Sequence, residues 1–331
     1  MYKNGIEVIY FAYRPDKKLF HSLAMISSQE LLPDSVRIFL TVEDEAYDRM
    51  SGDGQKDVTY SIDSKQPGDG ASLEITDIGW ERPDDGFLEK VRIAADGIRN
   101  ISVEYIKRSE FGHGRTRQIA MDSSKYEKVL LITQDAVPQG RDLTLNLSRA
   151  LEDPDAACAY ARQTAYRDSD DIEKIYRKFN YPATSRSKTA SDIKKMGIKA
   201  FFSSDVCCMY KHDIFDTIGG FDKSLKFNED SIFAFHALKA GYTVEYAADA
   251  VVFHSHSDPL KVKFKRSIEL AVSQKEHPEV FGSVSSEHEG IRFLFVALRY
   301  LVKKKNYIGI TKLFMNCIAK YAGYFYGKHF K

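Results

Sequence analysis

The stretch Leu130-Leu-Ile-Thr-Gln-Asp135-Ala-Val-Pro138 decides the fold class of this chain. Its apolar run stops at a carboxylate, and the proline that follows has no N–H to donate to a sheet, so the strand has to end there. The pattern predicts a buried parallel strand that delivers Asp135 to the carboxyl edge of a sheet, where open α/β folds bind their ligands. A second acidic pair, Glu229-Asp230, opens a predicted helix further along the chain. One carboxylate could hold a metal ion while another accepts a proton.

Strands alternate with helices on both sides of this stretch. Runs of β-forming residues predict the strands, and helical spacing of apolar residues predicts the helices. In the first half we predict strands at Ile6–Tyr13, Val36–Val42, Ile101–Ile106, Lys128–Ile132 and Ala156–Ala161, weaker strands near Val58–Ile62 and Leu73–Ile78, and helices at Lys17–Ser28, from Thr116 and at Arg141–Leu151. The alternation predicts an α/β fold with a Rossmann-like, mostly parallel sheet and helices on both faces.

The second half of the chain is less regular. We predict, in order, a polar loop with short helices at Arg162–Lys195, a strand at Phe201–Tyr210, helices at His212–Ile218 and Glu229–Ala240, and short strands at Thr243–Tyr246 and Ala250–His254. Gly219 and Gly241 are typical helix stops.

The composition is that of a globular protein with an uneven charge distribution. Of 331 residues, 43% are apolar and 29% are charged, which excludes a disordered chain and suits one large α/β domain with an appendage. The net charge is only +1, yet residues 291–331 contain nine Lys or Arg, ten Phe or Tyr and no Asp or Glu. We therefore divide the chain into a main domain, residues 1–270, and a basic helical region, residues 271–331.

Two amphipathic helices are predicted in the basic region. Apolar residues keep helical spacing in two runs, with a break at Lys303–Gly309. The runs are Ile291, Leu294, Phe295, Leu298 and Leu301, then Ile310, Leu313, Phe314, Cys317, Ile318 and Tyr321. Basic helices with aromatic residues suit an anionic membrane surface, but the same stripes could pack against the main domain or a second subunit. Both interpretations stay open.

The cysteines and the N-terminal segment indicate a cytoplasmic protein. The four cysteines (Cys158, Cys207, Cys208 and Cys317) show no CxxC spacing, so buried free thiols in a reducing compartment are expected rather than disulfides or a zinc site. The N-terminal Met-Tyr-Lys-Asn-Gly leads straight into a predicted strand, which leaves no room for a signal peptide. No apolar run approaches the roughly 18 residues that span a bilayer.

Six short segments together carry a family resemblance. They are Glu-Phe-Gly-His-Gly-Arg-Thr-Arg (110–117), Thr-Gln-Asp-Ala-Val-Pro (133–138), Phe-Asn-Tyr-Pro (179–182), Gly-Gly-Phe (219–221), Asn-Glu-Asp (228–230) and His-Ser-His (254–256). In this order they resemble family 2 glycosyltransferases of the GT-A fold, and within them the bacterial rhamnosyltransferase-like group. The resemblance makes residues 1–270 a glycosyltransferase catalytic domain and implies inverting transfer from a nucleotide-diphosphate sugar.

The resemblance assigns Asp135 to a divalent metal ion, Mg²⁺ or Mn²⁺, which usually binds one or two carboxylates together with substrate phosphates. A histidine completes the metal shell, and His254 matches the family better than His256. Where the family usually has Asp-x-Asp, this chain has Thr133-Gln134-Asp135. The missing first carboxylate leaves the metal dependence open. The alternatives are that Asp135 only caps a turn and that His254 only forms a local hydrogen bond.

Glu229-Asp230 is the candidate pair for base catalysis. An acceptor hydroxyl is a poor nucleophile until a carboxylate takes its proton. By the resemblance Asp230 is the base, and Glu229 orients the acceptor or the base. A helix N-terminus favours the ionised carboxylate by about 0.3–1 kcal/mol. Asn-Glu-Asp is also an ordinary helix start, but Gly219-Gly220-Phe221 just upstream favours the catalytic role.

The nucleotide is expected to lie over the carboxyl ends of the first strands. Gly112 and Gly114 let the backbone approach a ligand, and a helix that starts at Thr116 offers N–H groups to phosphate. The family places Arg117, rather than Arg115, under the nucleotide, with a solvated surface turn as the alternative. The residues implied to bind the donor nucleotide are Tyr13, Arg14, Glu43, His113, Gly114, Arg117, Gln134, Asp135 and Gly220.

These features favour an inverting glycosyltransferase that moves L-rhamnose from dTDP-L-rhamnose onto a growing or lipid-linked cell-surface glycan. The alternatives are a transferase of the same fold that uses a UDP-hexose, and a non-catalytic glycan-assembly subunit that binds nucleotide sugar. The missing first carboxylate favours the subunit, whereas the intact Glu229-Asp230 pair argues against it. Arg162-Gln163 is suggested to reach the donor sugar. We expect a peripheral position on the cytoplasmic face of the membrane and no nucleic acid partner, and a homo-oligomer stays open.

Overall fold

The structure, a computed structural model, describes residues 2–51, 59–62, 85–282, 284 and 286–331. The predicted strand at Leu73–Ile78 lies outside these residues. The strands are β1 (Lys3–Tyr13), β2 (Ser35–Val42), β3 (Thr59–Ile62), β4 (Asn100–Lys107), β5 (Tyr126–Thr133), β6 (Val137–Pro138), β7 (Ala156–Thr164), β8 (Arg186–Lys188), β9 (Cys207–Lys211) and β10 (Thr243–Phe253). The helices are α1 (Lys17–Ser27), α2 (Asp44–Ser51), α3 (Asp85–Ala94), α4 (His113–Ser123), α5 (Leu143–Ala150), α6 (Asp171–Asn180), α7 (Ile193–Met196), α8 (His212–Ile218), α9 (Glu229–Lys239), α10 (Leu260–Glu276), α11 (Pro278–Phe281), α12 (Ser286–Lys303) and α13 (Tyr307–Phe330).

These strands form one sheet, which confirms the predicted mostly parallel α/β fold. Their order is β3-β4-β2-β1-β5-β9-β7-β10-β6, and β8 also pairs with β10. The neighbours β4, β2, β1 and β5 are parallel, as are β7 and β10, whereas β9 lies antiparallel between β5 and β7. Tyr10 of β1 is in register with Ile38 of β2 and Ile132 of β5. Since β5 and β7 both oppose β9, they point the same way, and the carboxyl ends of the parallel strands share one edge.

Alternate residues of the central strands enter two hydrophobic cores. Val8 and Tyr10 point into a core with α1, α3 and α5, whereas Ile9 and Phe11 point into a second core with α4, α8 and α9. Both faces of the sheet are therefore covered, which is why its central strands are continuous apolar runs. Full burial of one such side chain stabilises the fold by about 1.5–3 kcal/mol. The carboxyl edge is thus held by a rigid frame.

The elements of the second half differ from the predictions. Strand β9 begins only at Cys207, six residues later than predicted, and the side chains of Ser204 and Asp205 before it accept hydrogen bonds from Gln163 and Tyr210. The two strands predicted after Gly241 are one strand, β10, whose pairing with β7 is irregular between Ala247 and Val251. The region predicted as a polar loop with short helices contains the helix α6, which is ten residues long and is capped by the side chain of Asp170. The four cysteines are free thiols, as predicted.

The basic region forms two helices, α12 and α13, as predicted, and they pack against α6 and α10. Gly323 and Gly327 bring α13 so close to α10 that an added Cβ would meet the backbone of Phe264 and Ile268. A small apolar cluster joins α6 to both terminal helices, and it contains Ile172, Ile175, Ala297, Leu301 and Leu313. The domain boundary predicted at residue 270 falls inside α10. Among the described helices, none is long and apolar enough to cross a membrane.

Candidate active site

Asp135 and two histidines form a cluster at the carboxyl edge of the sheet. Asp135 follows β5, and His254 and His256 follow β10. The Nε2 atoms of His254 and His256 lie 3.5 and 3.6 Å from Oδ2 of Asp135. Two ligand atoms that each lie about 2.1 Å from one metal ion are roughly 3.0–3.5 Å apart. These three side chains therefore fit one divalent ion, and the described residues contain no other such group.

The charges of this cluster suit a cation. Burial by itself raises the pKa of Asp135, but the hydrogen bond from His254 and the charges of both histidines lower it to well below its usual range, so the carboxylate is ionised. Burial lowers the pKa of His256, and the charge of His254 lowers it further, so the neutral form of His256, with a lone pair for a metal, is favoured. A divalent ion bound there would compete with protons for the imidazole nitrogens.

A layer of polar side chains behind the cluster holds His254. Nδ1 of His254 lies 2.9 Å from Oε1 of Gln163, whose amide nitrogen donates to Ser204 at 2.9 Å. This hydrogen bond assigns a proton to Nδ1 of His254 and directs Nε2 towards the metal position. Arg177 of α6 also donates to Gln163. Both imidazole orientation and tautomer are therefore set by the surrounding chain.

Arg117 lies below this edge, buried between two carboxylates. Its Nη1 is 2.9 Å from Oε1 of Glu229, and its Nε is 3.1 Å from Oδ2 of Asp205. The guanidinium also lies over the ring of Phe11, 5.1 Å from its centroid. Arg117 is only 5% exposed, so the guanidinium predicted to contact the nucleotide is engaged by acidic residues instead.

One guanidinium does not neutralise the acidic residues around it. Burial, together with the charges of Asp230 and Asp205, raises the pKa of Glu229 to about 8, although Arg117 lowers it. Burial likewise raises the pKa of Asp205 to about 7, against the lowering effect of Arg117 and of the Tyr210 hydroxyl, which donates to Asp205 at 2.5 Å. The buried cluster therefore holds a proton near neutral pH.

Asp230, the predicted base, is half-buried in the first turn of α9. Its Oδ2 accepts from the N–H of Asp205 at 3.3 Å, and its Oδ1 accepts from the N–H of Ser231 at 2.6 Å. Burial raises the pKa of Asp230, while Arg117 and these backbone hydrogen bonds lower it, and the net direction is upward. Asn228, with a left-handed φ of 67°, turns the chain into the helix. Both carboxylate oxygens of Asp230 are thereby oriented.

The segment 204–206 connects the metal-ligand cluster with Asp230. Ser204 accepts from Gln163, which holds His254. The next residue, Asp205, donates to Asp230, and the carbonyl of Val206 accepts from the N–H of Thr133 at 3.1 Å, two residues before Asp135. The two acidic groups singled out from the sequence thus belong to the same edge of the sheet.

A third polar cluster lies where β1, β2 and β4 end. Oε1 of Glu43 accepts from Tyr13 at 2.7 Å, from Arg14 at 3.0 Å and from Arg108 at 2.8 Å. The hydrogen bond from Tyr13 lowers the pKa of Glu43 most, desolvation raises it, and the hydrogen bonds from Arg108 and Arg14 lower it further, so the net direction is downward. The side chains of Arg14, Glu43 and Arg108 are 64%, 48% and 55% exposed. They are therefore accessible to a ligand over this edge.

Three other residues predicted to bind the nucleotide mainly support the chain. The amide of Gln134 accepts from the N–H of Tyr13 at 3.1 Å and donates to its carbonyl at 2.9 Å. His113 lies 2.9 Å from Nη1 of Arg117, and burial and that charge lower the pKa of His113 to about 3. Gly220, at a φ of 71°, forms the turn in which the next N–H donates to Gln118. Contact of these three residues with a nucleotide stays a prediction.

The phosphate site predicted at Thr116 needs a correction. Helix α4 begins at His113, three residues earlier. The N–H of Gly114 donates to the carbonyl of Leu225 at 3.2 Å, and an added Cβ at Gly114 would clash with the carbonyl of Asp222. The small size of Gly114 is thus required by chain packing, and its N–H is already used.

Comparison with known proteins identifies the family. The chain is 32% identical over 247 residues to the O-antigen chain rhamnosyltransferase RfbN of Salmonella typhimurium, an alignment that covers 73% of this chain and 77% of RfbN. This chain belongs to the rhamnosyltransferase family. This chain is also 31% identical over 248 residues to the O-antigen chain rhamnosyltransferase WbaN of Salmonella anatum, covering 72% of this chain and 78% of WbaN. No protein-family profile matches it.

A solved structure confirms the GT-A fold of this chain. The mannosyltransferase PcManGT from Pyrobaculum calidifontis, in complex with GDP-Man and Mn²⁺, superposes with a TM-score of 0.57 and 14% identity, covering 99% of this chain and 88% of PcManGT. Its relatives RfbN and WbaN, rather than this superposition, identify the protein as a glycosyltransferase, as the six motifs predicted.

Two residues of the candidate site were not predicted. Asp205 lies in Ser203-Ser204-Asp205, a polar interruption of the apolar run that we interpreted as one strand. Arg108 directly follows β4, just as Glu43 directly follows β2. Its position at the end of a third parallel strand could therefore have indicated from the sequence that it belongs to the site. His256, the weaker candidate ligand, lies as near Asp135 as His254 does.

Proposed function

We propose that this rhamnosyltransferase moves L-rhamnose from dTDP-L-rhamnose, with inversion, onto a growing or lipid-linked surface glycan. The observation that carries the proposal is Asp230, a half-buried carboxylate that two backbone N–H groups orient at the edge that also holds the metal-ligand cluster. The names of RfbN and WbaN, both O-antigen chain rhamnosyltransferases, support the sugar and the class of acceptor.

Asp230 would act as the general base. It takes the proton of the acceptor hydroxyl while that oxygen attacks the anomeric carbon, and the bond from this carbon to the diphosphate oxygen breaks on the opposite side. One displacement of this kind inverts the anomeric configuration and needs no covalent intermediate. Glu229, paired with buried Arg117, holds the first turn of α9 and so positions Asp230.

We propose that Asp135, His254 and His256 hold Mn²⁺ in preference to Mg²⁺. A divalent ion bound there would neutralise the negative charge of the departing diphosphate. Imidazole nitrogen suits transition metals, whereas Mg²⁺ prefers oxygen ligands. Thr133 stands where the Asp-x-Asp motif has its first aspartate. His256 would supply the ligand that this aspartate would otherwise provide, so a metal site can form without it. Tyr13, Glu43 and the two arginines beside them would contact the nucleoside.

A donor panel tests the proposal. The purified protein is incubated separately with dTDP-L-rhamnose, UDP-glucose and UDP-galactose, with and without Mn²⁺, and the released nucleotide is measured. We expect dTDP release from dTDP-L-rhamnose with Mn²⁺, and none from the Asp230→Asn variant. Release of UDP alone would assign a UDP-hexose donor. Nucleotide binding without release from any donor would identify a non-catalytic subunit.

We further propose a peripheral position on the cytoplasmic face of the membrane, because a lipid-linked acceptor would present its glycan there. The charge of residues 291–331, nine basic residues and no acidic one, supports this position.

A further inference from the structure

We infer that the outward faces of α12 and α13 form a membrane-docking surface that lies on an anionic bilayer. The inference rests on the proposed function in one respect, since a lipid-linked acceptor is what would bring the enzyme to a membrane. The docking surface is defined here by Ile291, Phe295 and Val302 of α12 and by Phe314, Ile318, Tyr321 and Phe325 of α13.

Helix α13 is apolar on two opposite faces. One face packs on α10 through Gly323 and Gly327. On the other face, large apolar side chains recur every three or four residues, and their exposed fractions are 45% for Phe314, 62% for Ile318, 68% for Tyr321 and 47% for Phe325. A helix that is apolar all round is normally buried. The outward face of α13 is therefore exposed to water, although its large apolar side chains favour an apolar environment.

Helix α12 shows the same arrangement with a basic border. Ile291, Phe295 and Val302 are 53%, 66% and 56% exposed and share one side of the helix, because they are spaced by about one and two turns. Arg299 and Lys303 are exposed on the adjacent stripe. An exposed apolar stripe beside a basic one is the pattern of a helix that lies in the interface of a membrane.

The charge of this region favours a bilayer over a second copy of the chain. Residues 291–331 carry nine basic and no acidic residues. A symmetric dimer would place the same patch against itself, and its basic stripes would meet without acidic partners. An anionic bilayer offers the opposite charge. Because none of the described helices can cross a membrane, the surface would lie on the bilayer rather than span it.

Helix α6 places the docking surface near the metal-ligand cluster. On one side of α6, Ile172 and Ile175 pack in the apolar cluster with α12 and α13. On its other side, Arg177 donates to Gln163, which holds His254, and Glu173 accepts from the N–H of His256 at 3.4 Å. Helix α6 and the bodies of the terminal helices thus lie between the two sites, a separation of about one to two helix diameters, roughly 10–20 Å. A glycan attached to a membrane lipid needs this proximity.

Vesicle flotation of the full chain tests the inference. The vesicles contain phosphatidylcholine with or without phosphatidylglycerol, and neither donor nor acceptor is added. We expect flotation with the anionic vesicles that weakens as salt is raised. The combined variant Phe314→Ser, Ile318→Ser, Tyr321→Ser should bind them at least about tenfold more weakly, since apolar burial is lost. Each of Arg299→Gln and Lys303→Gln should weaken binding roughly fivefold.

A matched control removes exposed apolar side chains elsewhere. Leu32→Ser with Ile119→Ser, whose parent residues are 48% and 41% exposed on the main domain, should float as the wild type does. Thermal protection by nucleotide should be unchanged in every variant, so a failure of the proposed donor chemistry is measured separately. Flotation of the α13 variant at wild-type strength would overturn the inference. A second result would also overturn it: the wild type is a dimer in solution, and the α13 variant is a monomer that still binds vesicles. A second copy of the chain, rather than a membrane, would then cover the surface.

Discussion

The backbone N–H of Asp205 donates to Oδ2 of Asp230 at 3.3 Å, while the carboxylate of the same Asp205 lies 3.1 Å from Nε of Arg117. Asp205 therefore orients the proposed base with its main chain and balances a buried guanidinium with its side chain. Because a side-chain substitution leaves the N–H in place, the two contributions can be separated by experiment.

Asp230→Asn should lower turnover by roughly 10²–10⁴-fold, since that is what a positioned general base contributes. Donor binding, measured by titration calorimetry, should persist because the amide has nearly the shape of the carboxylate. Asp249→Asn, at an exposed carboxylate of β10, serves as the control and should keep wild-type turnover. Full activity of Asp230→Asn would remove this residue as the base.

Asp205→Asn should shift the pH profile of the reaction rather than abolish it. Loss of the neighbouring negative charge lowers the pKa values of Asp230 and Glu229, so the acidic limb of kcat/KM should move to lower pH. The backbone hydrogen bond to Asp230 is retained, and kcat on the plateau should change little. The pH dependence of dTDP release is the measurement. An unshifted acidic limb in a folded variant would contradict the coupling.

The folded chain should lose stability as the pH rises through the neutral range. The pKa of Glu229 is raised from 4.5 to about 8, so between these values the folded chain binds a proton that the unfolded chain does not. The free energy of unfolding therefore falls as the pH rises through this window. The stabilisation by the proton on Glu229 is complete only below the pKa that Glu229 has in the unfolded chain. In Glu229→Gln, the urea midpoint should depend less on pH between about 5.5 and 8.5. An unchanged slope would mean that Glu229 does not titrate there.

Loss of a residue that supports a metal ligand typically weakens metal binding by about 10- to 100-fold, and Gln163→Leu should weaken Mn²⁺ binding by roughly this factor. His254→Ala and His256→Ala each remove a ligand itself and should weaken Mn²⁺ binding at least as much. Calorimetric titration with Mn²⁺ and with Mg²⁺ is the measurement. His236→Ala, at an exposed histidine of α9, is the control. Equal affinity for both ions, unaffected by either histidine, would place the metal elsewhere.

Arg108→Ala should raise the KM for the nucleotide sugar roughly tenfold and leave kcat nearly unchanged, because a charged hydrogen-bond donor to the nucleoside region would be lost. Arg115→Ala provides the comparison, since Arg115 is also exposed but does not join the Glu43 cluster. Steady-state kinetics with the preferred donor distinguishes the two. A loss confined to kcat would show that Arg108 acts on the chemical step instead.

The parallel strands were predicted well because each is an apolar run that ends at polar residues. The bounds of β1, β2, β4 and β5 agree with the predictions to within three residues. The placement of Asp135 and His254 at one edge follows from the parallel direction of β5 and β10. Strand β9 was predicted to begin six residues too early, because the predicted strand was extended across Ser204 and Asp205. The side chains of these two residues accept hydrogen bonds from Gln163, which is distant in sequence, and from Tyr210 of β9.

The amino-acid sequence by itself determined the α/β class, the two acidic positions, the histidines and the charge of the terminal helices, because these depend on local pattern and composition. Only the tertiary structure decided which partner each group meets. A buried arginine serves a phosphate or a carboxylate equally well, and folding gave Arg117 to Glu229 and Asp205. Likewise, α13 is apolar on two opposite faces, and only its packing on α10 decides which face is covered and leaves Ile318 and Tyr321 in water.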